Sequence, residues 1–269
     1  MAAPLPPRID ALFPAALRAE LVALRRDLHE HPELAFREQR TGDRLHAALA
    51  ALAPAQLARV AGTGVLARVR GRDPGAPVVA VRGDIDALPI TEATGLPFAS
   101  RTDGVMHACG HDVHASWAVG AAHLLSRAPA HGDVLVLLQP AEETGGGAPA
   151  VLESGALDGV SAIFGGHVDR RFAVGQVVAE AGPLAASADV FAIELAGQGA
   201  HGARPHEGAD PVVGAGALIG ALQTIVARRL NPAVAAVVTV GTVHAGAAPN
   251  VIPERALLTG TLRALDPDT

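Results

Sequence analysis

Five short apolar runs constrain this chain more than any other feature: Val65–Val69, Val78–Arg82, Val134–Leu138, Ala162–Phe164 and Val177–Ala179. Each is rich in Val, Ile or Leu and is closed by Gly, Pro or a polar residue. Such runs barely alternate between apolar and polar, so both faces of each strand must be covered. Stretches with helical spacing separate several of them. Pro14–Glu30 carries Leu17, Leu21, Leu24 and Leu28 on one face and is stopped by Pro32, Arg40–Leu52 follows, and Ala115–Ser126 and a short Ala148–Glu153 come later. Strands of this kind alternating with helices predict an α/β sheet with helices on its faces.

From about Pro183 the rhythm changes. Asp189–Ala196 alternates like a strand, Asp210–Arg229 reads as a long helix opened by an Asp210 cap and Pro211, and Ala235–Val243 and Arg255–Arg263 read as two further strands. The order strand-helix-strand-strand is the first part of a ferredoxin-like β-α-β-β-α-β unit. The expected division is therefore an α/β domain over residues 1–183 and a partial α+β domain over 184–269. A chain of 269 residues that is 49% hydrophobic can bury one large core or two smaller ones. Its net charge of −6 and scattered arginines argue against nucleic acid as a partner. The N-terminus lacks the charged start and apolar run of a signal peptide, and no uninterrupted strongly apolar stretch approaches the length of a membrane span. A cytoplasmic location, no membrane and a reduced thiol are the expectations.

That thiol is the only cysteine, set in Met106-His107-Ala108-Cys109-Gly110-His111-Asp112-Val113-His114. One thiol among imidazoles and a carboxylate suits a borderline-soft metal such as zinc, whereas the plain alternative is a small buried residue with surface histidines around it. In open α/β sheets ligands bind beyond the carboxyl ends of strands. Three polar segments fall there: Gly83-Asp84-Ile85-Asp86 after Val78–Arg82, Gln139-Pro140-Ala141-Glu142-Glu143 after Val134–Leu138, and Gly165-Gly166-His167 after Ala162–Phe164. One sheet edge could thus gather Asp86, Cys109, His111, Glu142, Glu143 and His167. Adjacent glutamates leaving a strand point in different directions, which suits one as a ligand and the other as a general base for activated water. An exposed acidic turn is the alternative, but an apolar strand and Gln-Pro precede the pair and a glycine run follows it. Of Asp84 and Asp86, one could cap the turn while the other orients a ligating histidine. His29, His31, His46, His123 and His131 lie on predicted helices or turns without evident partners and read as structural or solvent-facing. The second region offers His201 and His206 in a turn before the long helix, with Asn250 and Arg263 as an amide and a cation. Together with His201 these would suit a substrate carbonyl and carboxylate.

The ordered blocks Asp27–Leu34, Arg82–Pro89, Met106–Asp112, Gln139–Glu143, Gly166–Val168, Ala200–His206 and Asn250–Pro253 resemble the M20 metallopeptidases. Within them the likeness is to the amidohydrolase branch of N-acyl-amino-acid, hippurate and auxin-conjugate hydrolases. The resemblance implies a zinc-peptidase-like three-layer catalytic domain with an inserted ferredoxin-like lid that also dimerises. It implies two divalent ions (Zn, Mn, Co or Ni) about 3.5–4 Å apart, Cys109 bridging them and His111, Glu143 and His167 completing most of the coordination. Glu142 would be the base and Asp86 a support behind a ligand. His201 would polarise the scissile carbonyl, Asn250 would hold the oxyanion and Arg263 the substrate carboxylate. The substrates would be N-acyl-L-amino acids of the hippurate or N-acetyl type, the oligomer a homodimer. Gly83 and Ile85 are small departures from the family pattern. Family members run on for over a hundred further residues with a last metal-binding histidine, so a fragment is expected, both domains incomplete. The alternatives to an active amidohydrolase are an inactive truncated chain that at most binds metal, and a dipeptidase of the same family.

Overall fold

The computed structural model describes residues 11–182 and 185–269. The chain divides into two compact units, Met1–Val177 and Val178–Thr269. The boundary expected between residues 183 and 184 falls on residues outside those described.

The first unit opens with helices α1 (Ala15–Glu30) and α2 (Gln39–Ala50) and continues with strands β1 (Gln56–Val60), β2 (Gly64–Val69) and β3 (Val78–Asp84). Helix α3 (His111–Arg127), strand β4 (Val134–Gln139), the short α4 (Gly147–Glu153) and β5 (Val160–Gly165) complete it. The strands form one mixed sheet in the order β1-β2-β4-β3-β5. β3 lies parallel to both β4 and β5, while β1, β2 and β4 pair antiparallel. Their apolar runs are explained by burial on both sides. Val136 and Leu138 of β4 join Val65, Ala67 and Val69 of β2 against α1, α2 and α3, where Leu24, Leu28, Leu45, Leu49, Ala118 and Val119 close one core. Leu135 and Leu137 point the other way, with Leu66, Ala80 and Val151 of α4 in a second core. β5 departs from the expected cover, with Ile163 and Phe164 exposed.

Nine of the 17 residues of α3 are buried, mostly small ones. Small residues let the helix press onto β3, and Gly83 is where the backbones meet: a Cβ there would stand 2.5 Å from the His114 carbonyl oxygen. That glycine, a minor departure when read in sequence, is a packing requirement. Because β3, β4 and β5 are parallel, their carboxyl ends share one edge, and the chain passes from β3 to β4 on one side and returns to β5 on the other. This is the switch point at which an open α/β sheet forms a binding crevice.

The second unit pairs β6 (Asp189–Ala196), β10 (Arg255–Ala264) and β8 (Ala236–Ala245) in an antiparallel sheet of that order. Helix α5 (Pro211–Thr224) packs on one face, where Ala215, Ala256 and Leu258 are buried with Ile193, Leu195, Leu218 and Ile219 around them. Asp210 caps α5 by accepting from the Val212 and Val213 N–H groups, and Pro211 is its first residue. The sheet order agrees with the first three strands of a ferredoxin-like unit. A small ladder of β7 (Ala200–His201) and β9 (Val251–Ile252) stands beside it.

Three expectations change. The run at Val177–Ala179 forms no strand, since an apolar sequence without a ladder partner cannot satisfy its backbone as one. β1, whose residues are mostly half-exposed, carried too little apolar signal to be expected. The long helix ends its α geometry at Thr224 and closes in a π turn, Ile225–Arg229. By length and composition Pro211–Arg229 would suffice to cross a bilayer, with mean hydropathy 1.4. Of that span 11% is buried, and Ala215 is its buried contact with the sheet.

Candidate metal centre

Gly110, with φ of 91°, turns the chain into α3, and a Cβ there would lie 2.4 Å from Val168 Cγ2. Only glycine meets both conditions at low cost. The turn carries Cys109 and His111 to the carboxyl edge of the sheet. His111 is fully buried. Its Nδ1–H donates to the Asp86 carbonyl (2.8 Å) and to Asp86 Oδ1 (3.1 Å). This leaves the Nε2 atom buried without a hydrogen-bond partner, 3.7 Å from Glu143 Oε1 and 3.8 Å from Glu142 Oε2. His167 is prepared in the same way. Its Nδ1–H donates to the Val168 carbonyl at 2.7 Å, and its Nε2 accepts from the Cys109 thiol at 3.3 Å. Donating Nδ1–H fixes the tautomer that keeps the Nε2 lone pair for a metal.

Two donor groups share His111: Cys109, His111 and His167, and His111, Glu142 and Glu143, each with ligand atoms within 4.8 Å of one another. Sulfur, imidazole and carboxylate donors in this proportion fit a zinc-like divalent ion, and the orphaned Nε2 of His111 is the atom such an ion would satisfy. A third trio, Asp84, His111 and His114, also brings its ligand atoms within 4.8 Å of one another. His114 is already saturated, however. Its Nδ1–H donates to Asp84 Oδ1 at 2.7 Å, and its Nε2 accepts the Val168 N–H at 2.9 Å. It is a structural histidine that aligns the His167 segment.

Asp86 joins the two halves of the centre, since its Oδ2 accepts the Glu143 N–H at 3.0 Å while Oδ1 holds His111. Burial works against its charge, but the hydrogen bonds from His111 and the Glu143 and Glu142 backbone outweigh it and hold its carboxyl below the usual range. Both aspartates of the Asp84-Ile85-Asp86 segment therefore orient a histidine, and neither acts merely as a turn cap. Burial likewise opposes ionisation of Asp84, yet the His114 hydrogen bond and the His111 and Arg82 charges bring it down to about 2. His111 is pushed up to about 11: burial opposes its charge, but the hydrogen bond to Asp86, the nearby Cys109 sulfur and the two aspartate charges prevail. Metal binding there displaces a proton. Glu142 moves the other way from Asp84 and Asp86. Burial raises its carboxyl, His111 opposes that shift, and the charges of Asp84 and Glu143 add to it. A carboxylate raised in this manner and open to solvent is suited to accept and return a proton. A cleft of 370 Å³ lies beside it, lined by Arg82, Gln139, Gly145, Ile163 and Gly165.

In the second unit His201 and Asn250 come together through the β7–β9 ladder, where the Gly202 N–H donates to the Asn250 carbonyl at 2.8 Å. The His201 Nδ1 accepts from the Ala203 N–H at 3.1 Å, which places its proton on Nε2. Arg263 is not part of this pair. It sits eight residues along β10 from Arg255, roughly 26 Å at an extended strand's rise, so the ladder and this cation occupy opposite ends of the strand.

Some positioning residues escaped the sequence reading. His29 is buried and partnered, with Nδ1 2.8 Å from Asp112 Oδ2 and Nε2 3.3 Å from Glu92 Oε1; the Arg25 Nε lies 2.7 Å from the same Asp112 oxygen. This corrects its assignment as unpartnered, and the cause is distance in sequence, with 83 positions separating His29 from Asp112. Glu38, also buried, accepts from the Ala141 N–H and the Thr63 hydroxyl. A carboxylate before a helix reads as an exposed cap, so no local signal marked it.

Comparison with known proteins gives this arrangement a context. A profile of Peptidase family M20/M25/M40 matches residues 80–262. The chain is 45% identical over 254 residues to the N-acetyl-L-cysteine deacetylase of Bacillus subtilis (strain 168), covering 94% of this chain and 61% of that protein. It is 42% identical over 254 residues to the N-acetyldiaminopimelate deacetylase of Listeria innocua serovar 6a, covering 93% of this chain and 68% of the relative. The crystal structure of a dinuclear metal-binding M20 peptidase from Bacillus subtilis superposes with a TM-score of 0.77 at 43% identity, over 94% of this chain and 66% of that one. The chain thus spans less than two thirds of the length of the first of these deacetylases.

Proposed function

The chain belongs to peptidase family M20/M25/M40, and from that premise we propose that it carries the centre of a metal-dependent amidohydrolase that removes the acyl group from N-acyl-L-amino acids. One observation carries the reading: the buried, unpartnered Nε2 of His111, locked by Asp86 and facing two glutamates beside the Cys109–His167 pair. The names of the relatives, deacetylases of N-acetylcysteine and N-acetyldiaminopimelate, favour a short acetyl group over the benzoyl of hippurate.

In this reading Cys109, His111, Glu143 and His167 would hold two divalent ions. Bound there, zinc, manganese, cobalt or nickel would supply Lewis acidity and a readily deprotonated water. Glu142 accepts that water's proton on its carboxylate and returns it to the departing amine nitrogen. Asp86 keeps the His111 ring and the Glu143 backbone in register. The Nε2–H of His201 is a donor suited to the scissile carbonyl, the Asn250 amide to the developing oxyanion, and Arg263 to the substrate carboxylate. Because Arg263 lies far along β10 from His201 and Asn250, we assign His201 to the same substrate across a homodimer formed by the second unit acting as lid. A cytoplasmic enzyme with a reduced thiol is consistent with this scheme.

The test is Glu142→Gln. It should bind metal as the parent does and lose hydrolysis of N-acetyl amino acids by at least about a hundredfold, the lower bound for losing a general base. Amine release near the parental rate in that variant would sink the assignment.

A further inference from the structure

Glu38 stands at the N-cap position of α2 but makes no cap hydrogen bond. Glu33 does that work, its two carboxylate oxygens accepting from the Arg40 N–H at 3.2 Å and the Thr41 N–H at 2.8 Å. The Glu38 side chain is thereby free to turn inward, and it is wholly buried. There its Oε2 accepts from the Thr63 hydroxyl at 2.6 Å, and its Oε1 accepts from the Ala141 N–H at 2.9 Å across 103 positions of sequence.

Ala141 is itself buried and takes φ of 51°. A residue with a Cβ occupies that left-handed region when its surroundings impose it. Its carbonyl accepts from the Gly147 N–H at 3.0 Å, closing the loop around Glu142 and Glu143. At Gly147 a Cβ would lie 1.6 Å from the Pro140 carbonyl oxygen, so the closure tolerates no side chain. Two residues after Ala141, the Glu143 N–H is held by Asp86. Buried carboxylates therefore grip the backbone on each side of Glu142, Glu38 before it and Asp86 after it. Asp86 also touches His111. Glu38 touches none of the five donors and reaches them through backbone alone.

We propose that Glu38 is a positioning residue of the metal centre: by holding the Ala141 N–H it fixes the left-handed turn that directs Glu142 and Glu143 toward His111. The inference rests on the metal-centre reading above, and the experiment separates the two. What Ala141 needs is an acceptor, which glutamine supplies with its carbonyl oxygen while its NH₂ donates to the Thr63 hydroxyl. Glu38→Gln should therefore behave as the parent, whereas Glu38→Met and the shorter Glu38→Asp withdraw the acceptor. Thr63→Val removes only the other contact.

Two measurements on the full chain decide it: amide hydrogen exchange over Ala141–Glu143 without metal, and cobalt(II) titration followed by absorbance. In Glu38→Met, or in Glu38→Asp if the former does not fold, those amides should exchange about tenfold faster or more, as expected for loss of a buried hydrogen bond. Exchange in β4 and α1 should stay parental, and cobalt affinity should fall by a similar factor. Glu38→Gln should restore both, and Thr63→Val should leave both near parental. Parental exchange at Ala141 in Glu38→Met, or a Glu38→Gln as impaired as Glu38→Met, overturns the proposal. Parental cobalt affinity in a variant whose loop has loosened also overturns it. A parental chain that takes up no cobalt removes the metal-centre reading instead, and the exchange data still report whether Glu38 holds the loop.

Discussion

His111 and His114 lie three positions apart on one turn of α3. Asp84 and Val168 use both nitrogens of His114, whereas Asp86 uses one nitrogen of His111 and leaves the other bare. The chemistry of the centre is decided by that one difference in partners. Cys109→Ala should consequently lower bound metal, measured by elemental analysis, while His114→Gln should act mainly on stability; unchanged stoichiometry in Cys109→Ala would count against its role as a ligand. A second residue-scale prediction concerns His29. The Asp112 hydrogen bond raises its pKa, burial opposes this, and the Asp112 and Glu92 interactions add to the rise. A histidine with a raised folded pKa stabilises the fold fully below its unfolded value of about 6.5 and loses that contribution as pH climbs through the folded value. The urea midpoint of the parent should therefore exceed that of His29→Gln most clearly near pH 6, with the gap narrowing toward pH 9. A gap that widens with pH would reverse the sign and refute the pairing. The types of donor at the site were legible in the sequence, because thiol, imidazole and carboxylate cluster at strand ends. Their partners were not, since Glu38, His29 and Asp84 act on residues 30 to 103 positions away.

At the scale of elements, strand and helix identity followed from periodicity wherever an element buries a whole face. β4 is buried throughout, and α1, α2, α3 and β6 appear close to their expected bounds. Failures came where burial is partial, as in β1, or where pairing is lacking, as at Val177–Ala179. Close approach is the other thing that periodicity does not report. Gly83 permits contact between β3, which leads into Asp86, and α3, which begins at His111. Gly83→Ala should shift α3 away from the sheet and cost about 1–3 kcal/mol, as overpacking does. Thermal unfolding checks the cost, and a variant as stable as the parent would mean that the helix can yield without loss.

At the scale of the molecule, all five candidate donors, from Cys109 to His167, belong to the first unit, while the second has its own small core around Leu258. A ligand stabilises the state that binds it, by about 2.7 kcal/mol at a hundredfold excess over Kd. Added zinc or cobalt should thus slow amide exchange in β3 and β4 and leave β6, β8 and β10 unchanged; equal slowing in both sheets would show that the units open together. The sequence by itself determined the fold class and the residue types able to hold metal. Those properties are local, carried by periodicity and by motifs a few residues long. Only the tertiary structure decided which nitrogen is left bare, which aspartate steadies which histidine, and that Glu38 grips the glutamate loop. Each of these depends on burial and on a hydrogen-bond partner far away in the chain, and packing alone brings such pairs together.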